Sequence, residues 1–484
     1  MLDIFNNNHH SIYDLPDIAE ELISKELKAG RIAGPFDEQP FDALHISPIK
    51  LQPKKSGGFR LILNLSAPYD SDSINYHITE ENSKVSYASI QDAIRIIQSL
   101  GPKCFLAKSD IKSAFRLIPI HPDDHPKLGF KYNGKFYYDR CLAQGCSSSC
   151  RIFERFSSAL EWILINKLGV RHSCHILDDF LFLSHTFREC KSFLDAWKHL
   201  CKIVNIPLAP DKTFDPDQIM IFLGIELSTI EMMARLPEDK IVTYRNQMQE
   251  LLQSRTVKLK TMQSAIGALQ FSTSVITPGK AFVRRLIDTT IGVTKPFYYV
   301  TVSAEAKKDL KMWHTFFSHH NGKTLFLNEN HDSETLNLFS DASKKACAAT
   351  FKSQWFVIQF PQSWSIKNIA FLEFCPILVA IEIFGIKMAN QQITFHCDNK
   401  AVVDIINKQS CRDPAIMVLM RRMVIAVMQY NIKFKAAHVP GKANHLPDAL
   451  SRLQVTPHLL DKYGMQGQPM PVPARLMPNN FTGM

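Results

Sequence analysis

Between Arg151 and Lys167 the apolar positions Ile152, Phe153, Phe156, Leu160, Ile163 and Leu164 recur at helical spacing, which predicts a helix with one buried face. The same periodicity predicts helices over residues 18–29, 90–100 and 188–204. Between these lie short apolar runs bounded by turn residues. LQPKKSGGFRLILNL reads as a strand, a basic glycine-containing turn and a second strand, and FKYNGKFYYDR as a hairpin closed by Asn133-Gly134. CFLAKSDI, HILDDFLFLS and IMIFLGIEL each read as one strand. Beyond LPEDK the pattern is helical to about residue 290 and mixed up to Glu334. A new alternation starts at TLNLFSDAS and runs to LSRL in a β-β-β-α-β-α-like order, which places a domain boundary near residue 334. After Leu453 come Pro457, Pro469, Pro471, Pro473 and Pro478 with little periodicity, so this stretch is expected to be a disordered tail. No internal repeat is visible.

Composition narrows the class. A chain of 484 residues with 45% hydrophobic composition can bury several cores, and its length suggests about three domains. The formal charge of +10 favours a polyanionic partner such as nucleic acid over a neutral one. The eleven cysteines include no C-x-x-C pair, and Cys104, Cys347 and Cys375 sit in apolar stretches, so reduced core thiols and an intracellular compartment are expected. The first residues lack the charged and apolar regions of a secretory signal, and no uninterrupted apolar run reaches membrane-spanning length, so no membrane partner is expected.

Candidate chemistry lies in the acids. Asp110 follows an apolar strand, while Asp178 and Asp179 stand side by side within HILDDFLFL. Buried carboxylates must be compensated, and a divalent cation does so most cheaply; a solvated turn is the ordinary alternative for such a pair. Because side chains alternate along a strand, Asp178 is the expected partner of Asp110. Such oxygen ligands suit Mg²⁺ shared with substrate phosphates, two ions together supporting phosphoryl transfer.

The ordered set SDIKSAF, LAQGCSSS, ILDDFLFL, APDKT, FLGIEL and LPEDK resembles the palm and thumb of reverse transcriptases over residues 45–250. That resemblance implies a right-hand polymerase with Asp110, Asp178 and Asp179 as metal ligands. It further implies that Phe115 is the bulky gate against a ribose 2′-hydroxyl and that Gln144 and Gly145 lie against the incoming nucleotide, the glycine permitting close backbone approach. Lys54, Lys55 and Arg60 would hold the triphosphate, Lys212 would protonate pyrophosphate, and Leu223 and Gly224 would form the primer-gripping turn. The chain departs from the family at Ile176, where an aromatic residue is usual, and at Asn64, where an aspartate is common.

A second set of acids follows: Asp341 ending LNLFSD, Glu373 in AFLEFCPILVAIEIF, Asp398 ending ITFHCD and Asp448 in HLPDALSR. Each stands at a strand end or early in a helix, where four carboxylates could converge on two metals and cut a phosphodiester. The segment resembles retroelement ribonuclease H, most specifically in HVPGKANHLPDALSR. By that resemblance the four acids are metal ligands and His438 is a mobile general acid or base.

The expected fold class is therefore α+β multidomain: a right-hand polymerase followed by a connection and an α/β ribonuclease H-like domain. The expected divisions are an N-terminal helical extension (1–44), fingers and palm (45–227), thumb (228–290), connection (291–334), ribonuclease H-like domain (335–453) and tail (454–484). The expected function is RNA-directed DNA polymerisation with cleavage of the copied RNA. Two Mg²⁺ ions per site are expected, Mn²⁺ being the alternative, with an RNA template, a DNA primer, RNA–DNA hybrid and deoxynucleoside triphosphates as partners. The opening ELKAGRIAGPFDEQPFDALHISPIKLQPKKSGGFRLILNLSAP looks like DIRS-type retrotransposons, with a gypsy-like element as second choice. Such an element implies a cytoplasmic enzyme that enters the nucleus at integration. The rival readings are a catalytically silent nucleic-acid-binding remnant and an RNA-dependent RNA polymerase; the second acid set and Phe115 speak against the latter. Oligomeric state is not legible.

Overall fold

The computed structural model describes residues 7–54, 57–68, 73–319, 323–324, 336–389, 391–430 and 432–478. They form two compact units, one built from the described residues through Met233 and the other from those beginning at Ala234.

The first unit is organised by an antiparallel sheet in the order Ser173–Ile176, Asp179–Ser184, Phe105–Asp110, Phe214–Asp217. Helices Ser149–Lys167 and Phe187–Ile203 lay their apolar stripes on it, so that Phe153, Leu160 and Leu164 join Leu194, Trp197, Phe180 and Phe182 in one core. Trp197 stacks on Phe180 with ring centroids 4.2 Å apart. Full burial of each such aromatic side chain contributes about 1.5–3 kcal/mol, enough to fix the sheet that carries Asp110. The second of these helices starts where the Thr186 hydroxyl accepts the Glu189 N–H, and helix Ile90–Leu100 starts at a Ser89/Asp92 capping box. A hairpin of Ile49–Pro53 and Phe59–Leu63 precedes that sheet in the chain, and another of Gly129–Tyr132 and Lys135–Asp139 falls between its strands Phe105–Asp110 and Ser173–Ile176, turning at Asn133 and Gly134 with φ 46° and 77°.

Two runs expected as single strands are hairpins. HILDDFLFLS folds back at Leu177-Asp178, with Ile176 paired to Asp179 and Leu177 at φ 51°. IMIFLGIEL folds back at Leu223-Gly224, with Phe222 paired to Ile225 and φ values of 50° and 74°. In both, a leucine occupies a left-handed turn position, so hydrophobicity continues through the bend and hides it from the pattern.

The second unit holds helices Glu238–Gln253, Leu259–Ser272 and Ala304–His319 together with a five-stranded sheet. Its order is Gln354–Gln359, Ala346–Phe351, Leu336–Ala342, Gln392–Cys397, Lys433–His438; the first three strands are antiparallel and the last two add in parallel. The fifth strand extends the expected element order. Helix Ile369–Phe384, with its continuation to Met388, is long and apolar enough to cross a membrane, but 78% of that stretch is buried inside the unit, which makes it a core helix.

The two units divide at residues 233/234, close to the boundary expected between palm and thumb at 227/228, while the boundary expected near 334 lies outside the described residues. Helix Ala304–His319 packs within the same unit as the later sheet, its buried Asp309 meeting the Arg421 guanidinium at 3.3 Å. The tail is also folded through residue 478, against expectation. Leu460 and Leu476 are buried, the Trp355 indole donates to the Gln466 carbonyl at 2.7 Å, and Met470 N–H donates to the Trp355 carbonyl at 2.8 Å. Its prolines punctuate a strap held by scattered apolar anchors, which no periodic pattern reveals.

Two candidate carboxylate sites

In the first unit, strand Phe105–Asp110 ends by delivering Asp110 opposite Asp179 in the antiparallel register, with Asp178 in the adjoining turn. The preference for Asp178 on grounds of strand alternation therefore does not hold: Asp178 is a turn residue, and Asp179 is the one registered with Asp110. All three acids nonetheless gather. Asp110 is 6% exposed, and Ile111 N–H donates to the Asp178 carbonyl at 2.9 Å, tying the two strands at the acids. Burial, and then the charge of Asp110, pushes the Asp178 carboxyl up to about 6. Burial also raises Asp110, against the opposing pull of Lys212, whose Nζ lies 2.8 Å from Asp110 Oδ2. Although burial alone would lower it, the Lys212 ammonium is held above its ordinary range by that bond and by the nearby aspartates. Lys108 Nζ sits 3.1 Å from Asp179 Oδ1. Three carboxylates thus share two ammonium groups, a donor set that is all oxygen and short of positive charge, as a Mg²⁺ site requires.

The surrounding residues are placed as follows. Phe115 is half-buried, with its ring edge-on to Phe153 at 5.5 Å, so one face belongs to the core. Gln144 is exposed on the loop before helix Ser149–Lys167. Gly145 is required by close approach: a Cβ there would lie 1.7 Å from the Leu63 carbonyl oxygen. The near backbone is thus that of strand Phe59–Leu63, and Asn75 locks the loop by donating to the Gly145 carbonyl at 2.8 Å and accepting Ser147 N–H at 2.9 Å. Lys54 and Arg60 are exposed on the Ile49–Leu63 hairpin, and Lys55 lies outside the described residues. Ile176 pairs with Asp179, and Asn64 Oδ1 accepts Ser66 N–H at 3.3 Å.

In the second unit, Asp341 comes from the central strand Leu336–Ala342, Glu373 from the core helix, Asp398 from the residue after strand Gln392–Cys397 and Asp448 from helix His445–Ser451. The Ser451 hydroxyl meets both the Asp341 carboxylate and the Asp448 carbonyl, and Glu373 and Asp398 face each other in one cluster. Burial first, then Asp341 and Asp398, drives the Glu373 carboxyl up to about 9. Asp341 is pushed up to about 6, chiefly by burial and then by Asp398 and Asp448 against a hydrogen bond from the Ser451 hydroxyl. Burial and Asp448 raise Asp398 too. Asp448 accepts Arg452 Nε at 2.7 Å, and the exposed His438 ring places Nε2 3.0 Å from the Asp398 carbonyl. Glu373, Cys397 and Asp398 present ligand atoms all within 4.8 Å of one another.

Sequence reading missed Cys397 and Ser451 here, and Glu154 and His175 beside the first site. Glu154 left a trace: it and Glu161 stand seven residues apart on the helix, two turns along the face that meets the strand bearing His175.

The fold is mixed α+β and right-hand-polymerase-like. Residues 52–227 match the family described as Reverse transcriptase (RNA-dependent DNA polymerase), so the chain carries a reverse transcriptase domain. It is 23% identical over 300 residues to the Gag-Pro-Pol polyprotein of Mason-Pfizer monkey virus, an alignment covering 60% of this chain and 15% of that polyprotein. It is 25% identical over 158 residues to Polyprotein P3 of Commelina yellow mottle virus, covering 32% of this chain and 8% of the relative. The chain thus spans a small part of these relatives' length. Among solved structures it is similar to the foamy viral protease-reverse transcriptase dRH in complex with dsDNA, at 16% identity and TM-score 0.53, covering 91% of this chain and 71% of that one. The foamy viral protease-reverse transcriptase in complex with RNA/DNA hybrid gives TM-score 0.51 at 16% identity, covering 90% of this chain and 55% of the other.

Proposed function

We propose that the chain is an RNA-directed DNA polymerase with a second site that cleaves the RNA of RNA–DNA hybrids. The observation that supports it best is the gathering of Asp110 at one strand end with Asp178 and Asp179 at the adjoining hairpin turn, inside the segment that matches reverse transcriptase. Asp341, Glu373, Asp398 and Asp448 form the ribonuclease H-like site on the same chemical logic. Two Mg²⁺ ions at each site, with Mn²⁺ as a substitute, would supply Lewis-acid activation of the attacking oxygen and neutralise charge on the phosphate.

The chain's own residues do the rest. The palm aspartates hold the ions; Lys212, half-exposed beside Asp110, carries a proton suited to a departing pyrophosphate. Phe115 excludes a ribose 2′-hydroxyl with its free edge, and Gln144 and Gly145 wall the nucleotide. Lys54, Lys55 and Arg60 bind the triphosphate of a deoxynucleotide. Leu223 and Gly224 present a rigid turn to the primer. His438 exchanges protons at the second site as product leaves. The foamy viral structures hold dsDNA and RNA/DNA hybrid, and the same partner classes suit this basic chain, recognised through backbone and A-like shape. Retrotransposition of a DIRS-type element, in the cytoplasm and then the nucleus, is the role this reading assigns.

Primer extension on an RNA template with Mg²⁺ tests it. The protein should extend the primer, and Asp178→Asn should lower the rate by about three orders of magnitude, as when the charge balance of a metal site is broken. A wild-type protein that binds hybrid but extends nothing would be the silent remnant instead.

A further inference from the structure

Beside the palm acids lies a buried charged chain that the reaction chemistry leaves unused. Helix Ser149–Lys167 sends Glu154 and Glu161 toward strand Ser173–Ile176, and His175 sits between them. His175 Nδ1 is 2.8 Å from Glu161 Oε2, and Nε2 is 3.5 Å from Glu154 Oε1. The imidazole stacks on Phe180 at 5.1 Å, and Ser173 donates to Glu161 at 2.8 Å. Glu154 and His175 are only 8% and 5% exposed. Burying carboxylates around one imidazole is costly, and an apolar trio of similar size would pack the same space without that cost.

The far end of this chain meets the polymerase site. Glu154 Oε2 accepts the Leu177 N–H at 2.8 Å, one residue before Asp178. Leu177 is the turn residue held at φ 51°, a left-handed conformation that non-glycine residues seldom adopt. On the other side Ile111 N–H holds the Asp178 carbonyl at 2.9 Å. The two-residue turn Leu177-Asp178 is therefore pinned at both ends, at the Leu177 N–H by a helix side chain and at the Asp178 carbonyl by the backbone of the residue after Asp110. The direction of the Asp178 carboxylate depends on both pins.

We propose that Glu154 is a positioning residue for the palm acids, its carboxylate holding the Leu177 N–H one residue before Asp178. The inference rests on the polymerase reading. Loss of the pin lets the turn relax from its left-handed conformation and swings Asp178 away from Asp110, while the nucleotide-binding residues stay in place.

The test combines Glu154→Ala and Glu154→Gln with the wild type, reading primer extension and, separately, Mn²⁺ binding to the protein by isothermal titration. Displacing a metal ligand by an ångström can cost about a hundredfold, so Glu154→Ala should lose about that much in kcat with the nucleotide KM within about twofold of wild type. Its Mn²⁺ affinity at the polymerase site should fall about tenfold. Glu154→Gln keeps an acceptor for the Leu177 N–H and should restore kcat to within about tenfold of wild type. Glu154→Met, matched in volume but without an acceptor, replaces the alanine variant if that one does not fold, and should behave as alanine would. Wild-type kcat and Mn²⁺ affinity in a melting-destabilised Glu154→Ala would make Glu154 a packing residue and overturn the proposal. So would a glutamine variant as impaired as alanine. A wild type that extends no primer removes the polymerase reading and this inference with it, whereas an active wild type with an unimpaired alanine variant removes the inference alone.

Discussion

Glu373 bears the heaviest electrostatic load at the second site, and its consequence can be measured without any substrate. Burial, Asp341 and Asp398 hold its pKa at about 9, far above its value of roughly 4.3 in an unfolded chain. An acid raised on folding binds its proton more tightly in the folded state, so its contribution to stability is full below the unfolded pKa and is lost as pH rises toward the folded one. In EDTA the second unit should therefore lose melting temperature steadily from about pH 5 to about pH 9, with Asp341, held at about 6, contributing to the lower part of that window. Glu373→Gln should flatten the decline, and Mg²⁺ should restore the wild type most strongly at the alkaline end. A metal-free wild type whose melting temperature is level across this range would mean that the four acids are not crowded as described. Asp341 and Asp398 were legible in the sequence because each ends an apolar strand, and Glu373 because it interrupts an apolar helix, places where a carboxylate has no cheap structural reason to be. Glu154 and His175 were not, because a glutamate in a helix and a histidine in a strand are unremarkable until the fold buries them against each other.

At the scale of elements, helices were legible and two turns were not, for one reason. Helix Ile90–Leu100 lies where its apolar spacing and capping residues put it, and Ser149–Lys167 begins two residues before the expected start. The hydrophobic pattern reads the hairpins at Leu177-Asp178 and Leu223-Gly224 as strands, the second turn being implied only by the family resemblance, because their first turn residue is a leucine, where such turns favour asparagine or glycine. Local preference lost there to the packing of the strands on either side. The disagreement predicts a stabilising substitution: Leu223→Asn should relieve the left-handed strain and raise unfolding free energy by about 1 kcal/mol in urea titrations. If Leu223 instead serves the primer, the same variant should extend primers more slowly at limiting primer concentration while being harder to unfold. A variant that is less stable than wild type would show that the leucine is held by packing rather than strained.

At the scale of the whole molecule, the two units divide at residues 233/234, near the boundary expected between palm and thumb at 227/228. The boundary expected near residue 334 follows a change in sequence pattern, but packing draws residues 234–319 into the unit that contains the later sheet, through contacts such as Asp309 with Arg285 and Arg421 at 3.3 Å. Pattern records where one kind of element gives way to another, whereas a unit is decided by long-range side-chain pairs that no local window contains. What survives this regrouping is the separation of the two acid sets, since Asp110, Asp178 and Asp179 lie before residue 233 and Asp341, Glu373, Asp398 and Asp448 after residue 336. Asp398→Asn removes one negative ligand from the second set and touches no residue of the first. Hybrid cleavage should then fall by about three orders of magnitude while primer extension stays within about twofold of wild type. Asp178→Asn should do the reverse, leaving cleavage of RNA in a preformed hybrid largely intact. Both assays need one ionic strength, because contacts to the nucleic-acid backbone weaken steeply with salt and would otherwise imitate a catalytic loss. If Asp398→Asn abolished extension as strongly as cleavage in a protein that still melts cooperatively, the two acid sets would have to act as one site, and the assignment of separate chemistries to the two units would fall.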